Sequence, residues 1–186
     1  MKQNVITETN EIIEVMPLNK ILLEDTKLSL FQKTLLVTDG TVTDLLRLYT
    51  QKEISVDKIY ENFCLSGRNE KEYCDEGTLL LNRKILLGHR NEKYVYADSN
   101  FIYGSMTKRC KYELLKNDTP IGLLWKEEKI HTYREIVKIR TEICDDLVSY
   151  FEVPLGTTFL ARTYIVYSGE KTLGIVTEKF PITFFY

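Results

Sequence analysis

Residues 78–102 read TLLLNRKILLGHRNEKYVYADSNFI. Leu79, Leu81, Arg83, Ile85 and Leu87 alternate with Leu80, Asn82, Lys84 and Leu86. That period of two sends successive side chains to opposite faces of a strand. The residues from 93 to 102 alternate in the same way and are rich in aromatic and β-branched types. Between the two runs, Gly88-His89-Arg90-Asn91 reads as a hairpin turn. A connection that short makes the two strands antiparallel neighbours.

The same pattern extends outward from this hairpin. Strands are predicted over 53–63, 133–143, 157–167 and 172–180, with Ser168-Gly169-Glu170-Lys171 as a second hairpin turn. Helical spacing dominates the first 45 or so residues, where Leu28, Phe31 and Leu35 follow Thr26 as an N-cap. Beyond the break at Asp39-Gly40, Val42, Leu45, Leu46 and Tyr49 lie on one helical face. Shorter helices are expected over 105–117 and 119–128. The second carries Thr119 as N-cap and Pro120 at the first helical position. Strands without βαβ alternation, and helices gathered at the start and middle, give an α+β fold. It is expected to be an antiparallel sheet of about six strands with helices on one face. The charged stretch from Ser66 to Gly77 reads as a long solvated loop rather than a boundary, so residues 1–186 are expected to form a single domain.

Composition narrows the function. With 25 Lys and Arg against 27 Asp and Glu the net charge is −2, and no basic block marks a nucleic-acid partner. No apolar run approaches the roughly 18 residues of a membrane span, and the polar, acidic opening MKQNVITETNEIIEV is unlike a signal peptide. The chain reads as a cytoplasmic domain without nucleic-acid or membrane partners. Cys64, Cys74, Cys110 and Cys144 are too widely spaced for a zinc site. They are expected as thiols in or near the core, a Cys64–Cys74 bridge being the exception to consider. His89 and His131 show no metal or triad spacing and read as loop or strand-end residues.

Three charges fall on the wrong face. Arg83 interrupts the row Leu79, Leu81, Ile85, Leu87. Glu178 interrupts Gly174, Val176, Phe180. Arg162 shares a face with Leu160, Tyr164 and Val166. A buried Arg or Glu is costly unless paired or bound to a ligand. Either Arg83 and Glu178 form a structural ion pair, or the sheet face is misread, or they face a cavity. In a cavity the arginine would fork onto a carboxylate and the glutamate would act as acid or base.

Four segments carry a resemblance. They are Asn82-Arg83-Lys84-Ile85-Leu86-Leu87 with Tyr94-Val95-Tyr96-Ala97-Asp98-Ser99; Thr119-Pro120-Ile121-Gly122; Arg134-Glu135; and Arg162-Thr163-Tyr164 followed by Thr177-Glu178-Lys179-Phe180-Pro181. In order and spacing, over roughly residues 20–186, they resemble the chorismate pyruvate-lyase (4-hydroxybenzoate synthase) superfamily. The adjacent Phe180-Pro181 is similar to its archaeal, cyanobacterial and mycobacterial branch. The resemblance departs at Lys84, where enteric members carry an acid, and is loose over 38–77, where a covering flap belongs.

The resemblance implies a buried ligand cavity and a carbon–oxygen lyase that eliminates pyruvate from chorismate to give 4-hydroxybenzoate. It implies no metal and no cofactor. Arg83 and Glu178 take the catalytic positions. Val42 and Ile121 match the places where the aromatic acid is held through backbone groups, which fits the anion preference of helix N-termini. Arg134 and Arg162 are candidates for a second carboxylate. It leaves two alternatives open: an enzyme of this family acting on a different shikimate-type acid, and a non-catalytic, effector-sensing domain of the same fold that binds an aromatic acid without consuming it.

Overall fold

The computed structural model describes residues 12–15, 27–116 and 119–186. Its chain order is β1 (Ile12–Val15), α1 (Leu30–Val37), α2 (Val42–Thr50), β2 (Ser55–Leu65), β3 (Leu79–His89), β4 (Glu92–Ile102), α3 (Lys108–Lys116), α4 (Ile121–Glu127), β5 (Tyr133–Ile143), α5 (Val148–Phe151), β6 (Thr158–Ser168) and β7 (Lys171–Pro181). The strands form one antiparallel sheet in the order β1-β5-β6-β7-β4-β3-β2. The α+β class and all six expected strands are present. The seventh, β1, departs from the helical reading of the first 45 or so residues: it pairs with β5 at the sheet edge.

Helix starts shift slightly. Thr26 lies outside the described residues, and α1 is capped by Ser29. Its hydroxyl accepts from the Gln32 amide at 3.1 Å, while the Gln32 side chain accepts from the Ser29 amide at 2.9 Å. Gln32 also donates to the carbonyls of Ile182 and Phe184, both at 2.7 Å, which pins the end of the chain to its first described helix. Pro120, not Thr119, is the cap of α4, because its extended ψ of 125° leaves Ile121 as the first helical residue.

Helices α1 to α4 pack on one sheet face. Leu36, Leu46, Leu114 and Leu124 meet Leu81, Phe101, Leu160 and Val166 there in the main core. The other face is partly covered rather than bare, which the sequence did not suggest. At one end α5 and its flanks bring Leu147 and Phe151 onto Leu86 and Phe159. At the other, the loop expected to be solvated folds Tyr73 against Leu80 and Ile165. All four cysteines are free thiols; Cys110 and Cys144 are buried, whereas Cys64 is exposed on edge strand β2, contrary to the expected core position. His89 ends β3, and its Nδ1 lies 2.8 Å from the Glu53 carbonyl.

Candidate active site

Strand register decides which side chains can meet. Arg83 stands opposite Ser99, and Ser99 opposite Val176. Glu178 lies two residues beyond Val176 and faces Ala97 on one side and Arg162 on the other. Arg83 and Glu178 therefore sit two strands apart, roughly 10 Å across the sheet, and about 7 Å out of line. Each takes a partner on a strand directly beside its own. Arg83 approaches Glu61 of β2, Nε to Oε2 at 3.4 Å, and Glu178 takes Arg162 as its partner, Nε to Oε2 at 2.7 Å.

Between Arg83 and Glu178 lies a cavity of about 60 Å³. Its floor is the sheet, with Ile85, Leu87, Ala97, Ser99, Tyr164 and Val176. Its roof comes from the first turns of α2 and α4, at Val42, Thr43, Ile121 and Gly122, with Trp125 set edge-on against Phe101. In a helix the first amides have no intrahelical acceptor, so the roof offers donors where the floor is largely apolar. Five of the six residues singled out in the sequence line this space: Val42, Arg83, Ile121, Arg134 and Glu178. Arg162 does not.

Arg162, 1% exposed, lies beside Glu178 on the neighbouring strand. Its Nη1 donates to the Thr38 carbonyl at 2.9 Å, tying β6 to the turn between α1 and α2. Arg134 holds the same turn from β5. Its backbone amide donates to the Asp39 carboxylate at 2.8 Å, and its guanidinium donates to the Asp39 carbonyl. The two guanidinium groups flank the ring of Tyr164, at 5.0 Å for Arg162 and 5.8 Å for Arg134. Arg134 also borders a second trough of about 330 Å³, lined by Asp39, Asp44, Lys126 and His131, that shares Thr41, Gly122 and Trp125 with the cavity. The Asp44–Lys126 ion pair, at 2.9 Å, spans α2 and α4 across that trough.

Two participants escaped the sequence reading. Tyr164 passed as an apolar member of its row, yet its hydroxyl donates to Glu178 Oε1 at 3.1 Å. Burial first, and the Glu178 charge second, push its pKa well above the ordinary tyrosine value. Glu61 lies on an edge strand, and only the register with β3 reveals that it neighbours Arg83. Among the described residues no group of three or more His, Cys, Asp or Glu is arranged to hold a metal ion.

The model of a family described as chorismate pyruvate-lyase, Rv2949c-like, matches residues 36–185. A provisionally named lyase, MJ0807 of Methanocaldococcus jannaschii, is 30% identical over 159 residues, covering 81% of this chain and 78% of that protein. Among solved structures, the effector domain of PhnF from Mycobacterium smegmatis superposes with a TM-score of 0.62 at 9% identity, over 78% of this chain and 90% of that one. The C-terminal domain of the histidine utilization repressor from Pseudomonas syringae gives 0.54 at 12% identity, over 69% and 92%. At these identities the two structures share the fold with this chain and nothing finer.

Proposed function

Because the chain belongs to the Rv2949c-like chorismate pyruvate-lyase family, we propose that it eliminates pyruvate from chorismate to give 4-hydroxybenzoate. One observation carries the reading: an arginine and a glutamate on apolar rows of the sheet, from strands two apart and each with a partner on its own neighbouring strand, line one cavity.

In this mechanism Arg83 forks the ring carboxylate from the floor, helped by the first-turn amides at Val42 and Ile121 overhead. Arg134, at the border between cavity and trough, holds the carboxylate of the enolpyruvyl group. Glu178 handles the proton, and Arg162 acts through it as a positioning residue. The apolar walls exclude water and strengthen each of these interactions. Aromatisation supplies the driving force, so the protein's contribution is orientation and electrostatics.

Purified protein incubated with chorismate should release pyruvate and 4-hydroxybenzoate in equal amounts, followed by chromatography. Arg83→Ala and Glu178→Ala should each lower kcat/KM at least about 1000-fold while the far-ultraviolet circular dichroism stays that of the parent. Saturable binding of 4-hydroxybenzoate without turnover would favour an effector-sensing domain, the role named for the PhnF domain of similar fold. Turnover that survives either substitution would remove that residue from the mechanism.

A further inference from the structure

We propose that Tyr164 is the general acid of the elimination, working as a dyad with Glu178 as the base; this rests on the lyase reading above. The register places Arg162 opposite Glu178 and Tyr164 opposite Val176, so Tyr164 reaches Glu178 along a diagonal of the same sheet face. Both carboxylate oxygens accept hydrogen bonds, Oε2 from Arg162 at 2.7 Å and Oε1 from Tyr164 at 3.1 Å. With a donor on each oxygen, Glu178 is assigned the accepting role. The elimination also needs a donor for the departing oxygen. The hydroxyl in contact with Glu178 that also lines the cavity is that of Tyr164.

Stereochemistry fits a one-sided dyad. In chorismate the ether and the neighbouring hydroxyl are trans, so the hydrogen on the hydroxyl-bearing carbon is cis to the ether oxygen. Base and acid must therefore approach from one face of the ring and close together, as two oxygens 3.1 Å apart can. Glu178 takes that hydrogen as a proton, and the C–H electron pair becomes the ring double bond that completes the aromatic sextet. The adjacent ring carbon–oxygen bond breaks, leaving its pair on the enolpyruvate oxygen, and Tyr164 gives that oxygen its proton. The enol then tautomerises to pyruvate. The proton captured by Glu178 passes along the hydrogen bond to the Tyr164 phenolate, which restores both groups with nothing consumed. Arg162 and Arg134, 5.0 and 5.8 Å from the ring centre, stabilise the phenolate while it exists.

The test combines Tyr164→Phe with a chain carrying 3,5-difluorotyrosine at position 164, whose hydroxyl is more acidic but hardly larger. Tyr164→Phe should lower kcat about 100- to 10,000-fold, the range for loss of a general acid, with the Kd for 4-hydroxybenzoate changed less than about threefold. In the fluorinated chain the alkaline limb of the kcat profile should move to lower pH, which a merely structural hydroxyl would not cause. Should Tyr164→Phe fail to fold, the fluorinated chain alone decides. Wild-type turnover with kcat of Tyr164→Phe within about threefold of it, or with an unmoved alkaline limb, would overturn the acid role and leave the lyase reading standing. A wild-type chain that binds 4-hydroxybenzoate but never consumes chorismate would end the lyase reading and the acid role together.

Discussion

Arg162 illustrates what a buried charge costs and what it holds. Its side chain and that of Glu178 are almost wholly withdrawn from water, and the desolvation is offset by the 2.7 Å ion pair, the Thr38 carbonyl and the Tyr164 ring. Removing one partner strands the other. Arg162→Ala should lower stability by about 3–5 kcal/mol, read from the urea midpoint, and adding Glu178→Gln to it should recover part of the loss. A midpoint within about 1 kcal/mol of the parent would show that the pair is solvated. Alternation alone placed Arg83, Arg162 and Glu178 on buried faces, and all three are buried. Partner choice was not legible, because it depends on which strand lies beside which.

Among the elements, β7 joins the two halves of the sheet by lying between β6 and β4. The β6–β7 hairpin is local, but the β4–β7 ladder links segments some 80 residues apart in sequence, and it carries Glu178 toward Arg83. Gly174 marks the closest approach in that ladder. A Cβ there would come within 2.4 Å of the Asn100 carbonyl oxygen and 2.8 Å of Phe101 Cα, both backbone, and φ is +157°. Gly174→Ala should therefore push β7 from β4 at a cost of about 1–3 kcal/mol or more, measured by thermal melting. The backbone displacement should also lower activity. A variant as stable as the parent would mean the ladder can relax there. Gly122 makes a gentler contact between the helix starts, where a Cβ would lie 3.0 Å from Thr41 Cγ2. The 60 Å³ between α2 and α4 is smaller than the roughly 300 Å³ usual for a ligand site. An aromatic acid must extend into the adjoining trough or part these two helices.

The molecule as a whole is asymmetric across its sheet: the cavity face is closed by four helices, while the outer face has a polar band between two small apolar clusters. That band ties β5 to β7 through Glu142, which meets Lys179 at 2.8 Å and Arg140 at 2.9 Å. Burial pushes the Glu142 pKa up, but the hydrogen bonds from Lys179 and Arg140 outweigh it and hold the carboxyl below the ordinary 4.5. Burial pulls Lys179 down, and the Glu142 hydrogen bond outweighs it, leaving Lys179 above its ordinary 10.5. The depressed carboxyl stabilises the fold fully above its unfolded pKa, and this contribution is lost as pH falls through the lower folded value. The raised amine stabilises below its unfolded pKa, and this contribution is lost as pH rises through the higher folded value. Urea midpoints taken from pH 7 down to pH 3 should therefore fall less steeply for Glu142→Gln than for the parent. Parallel profiles would remove Glu142 from the acid response.

By itself the sequence determined the local patterns and the family. Alternation set six strands and, in β3, β6 and β7, the face on which a charge is buried. Short turns set two hairpins, and Arg83 and Glu178 were identifiable as charges in apolar rows. These features depend on neighbours within a few positions, and local sterics enforce them. Tertiary structure decided the strand order and the partnership of Glu178 with Arg162 and Tyr164. It also decided that Arg162 lies beside Glu178 rather than in the cavity, that Glu61 neighbours Arg83, and that the 66–77 loop packs Tyr73 on part of the outer face. Each depends on contacts between residues far apart in the chain, and hydrophobic alternation is the same whichever strand lies alongside.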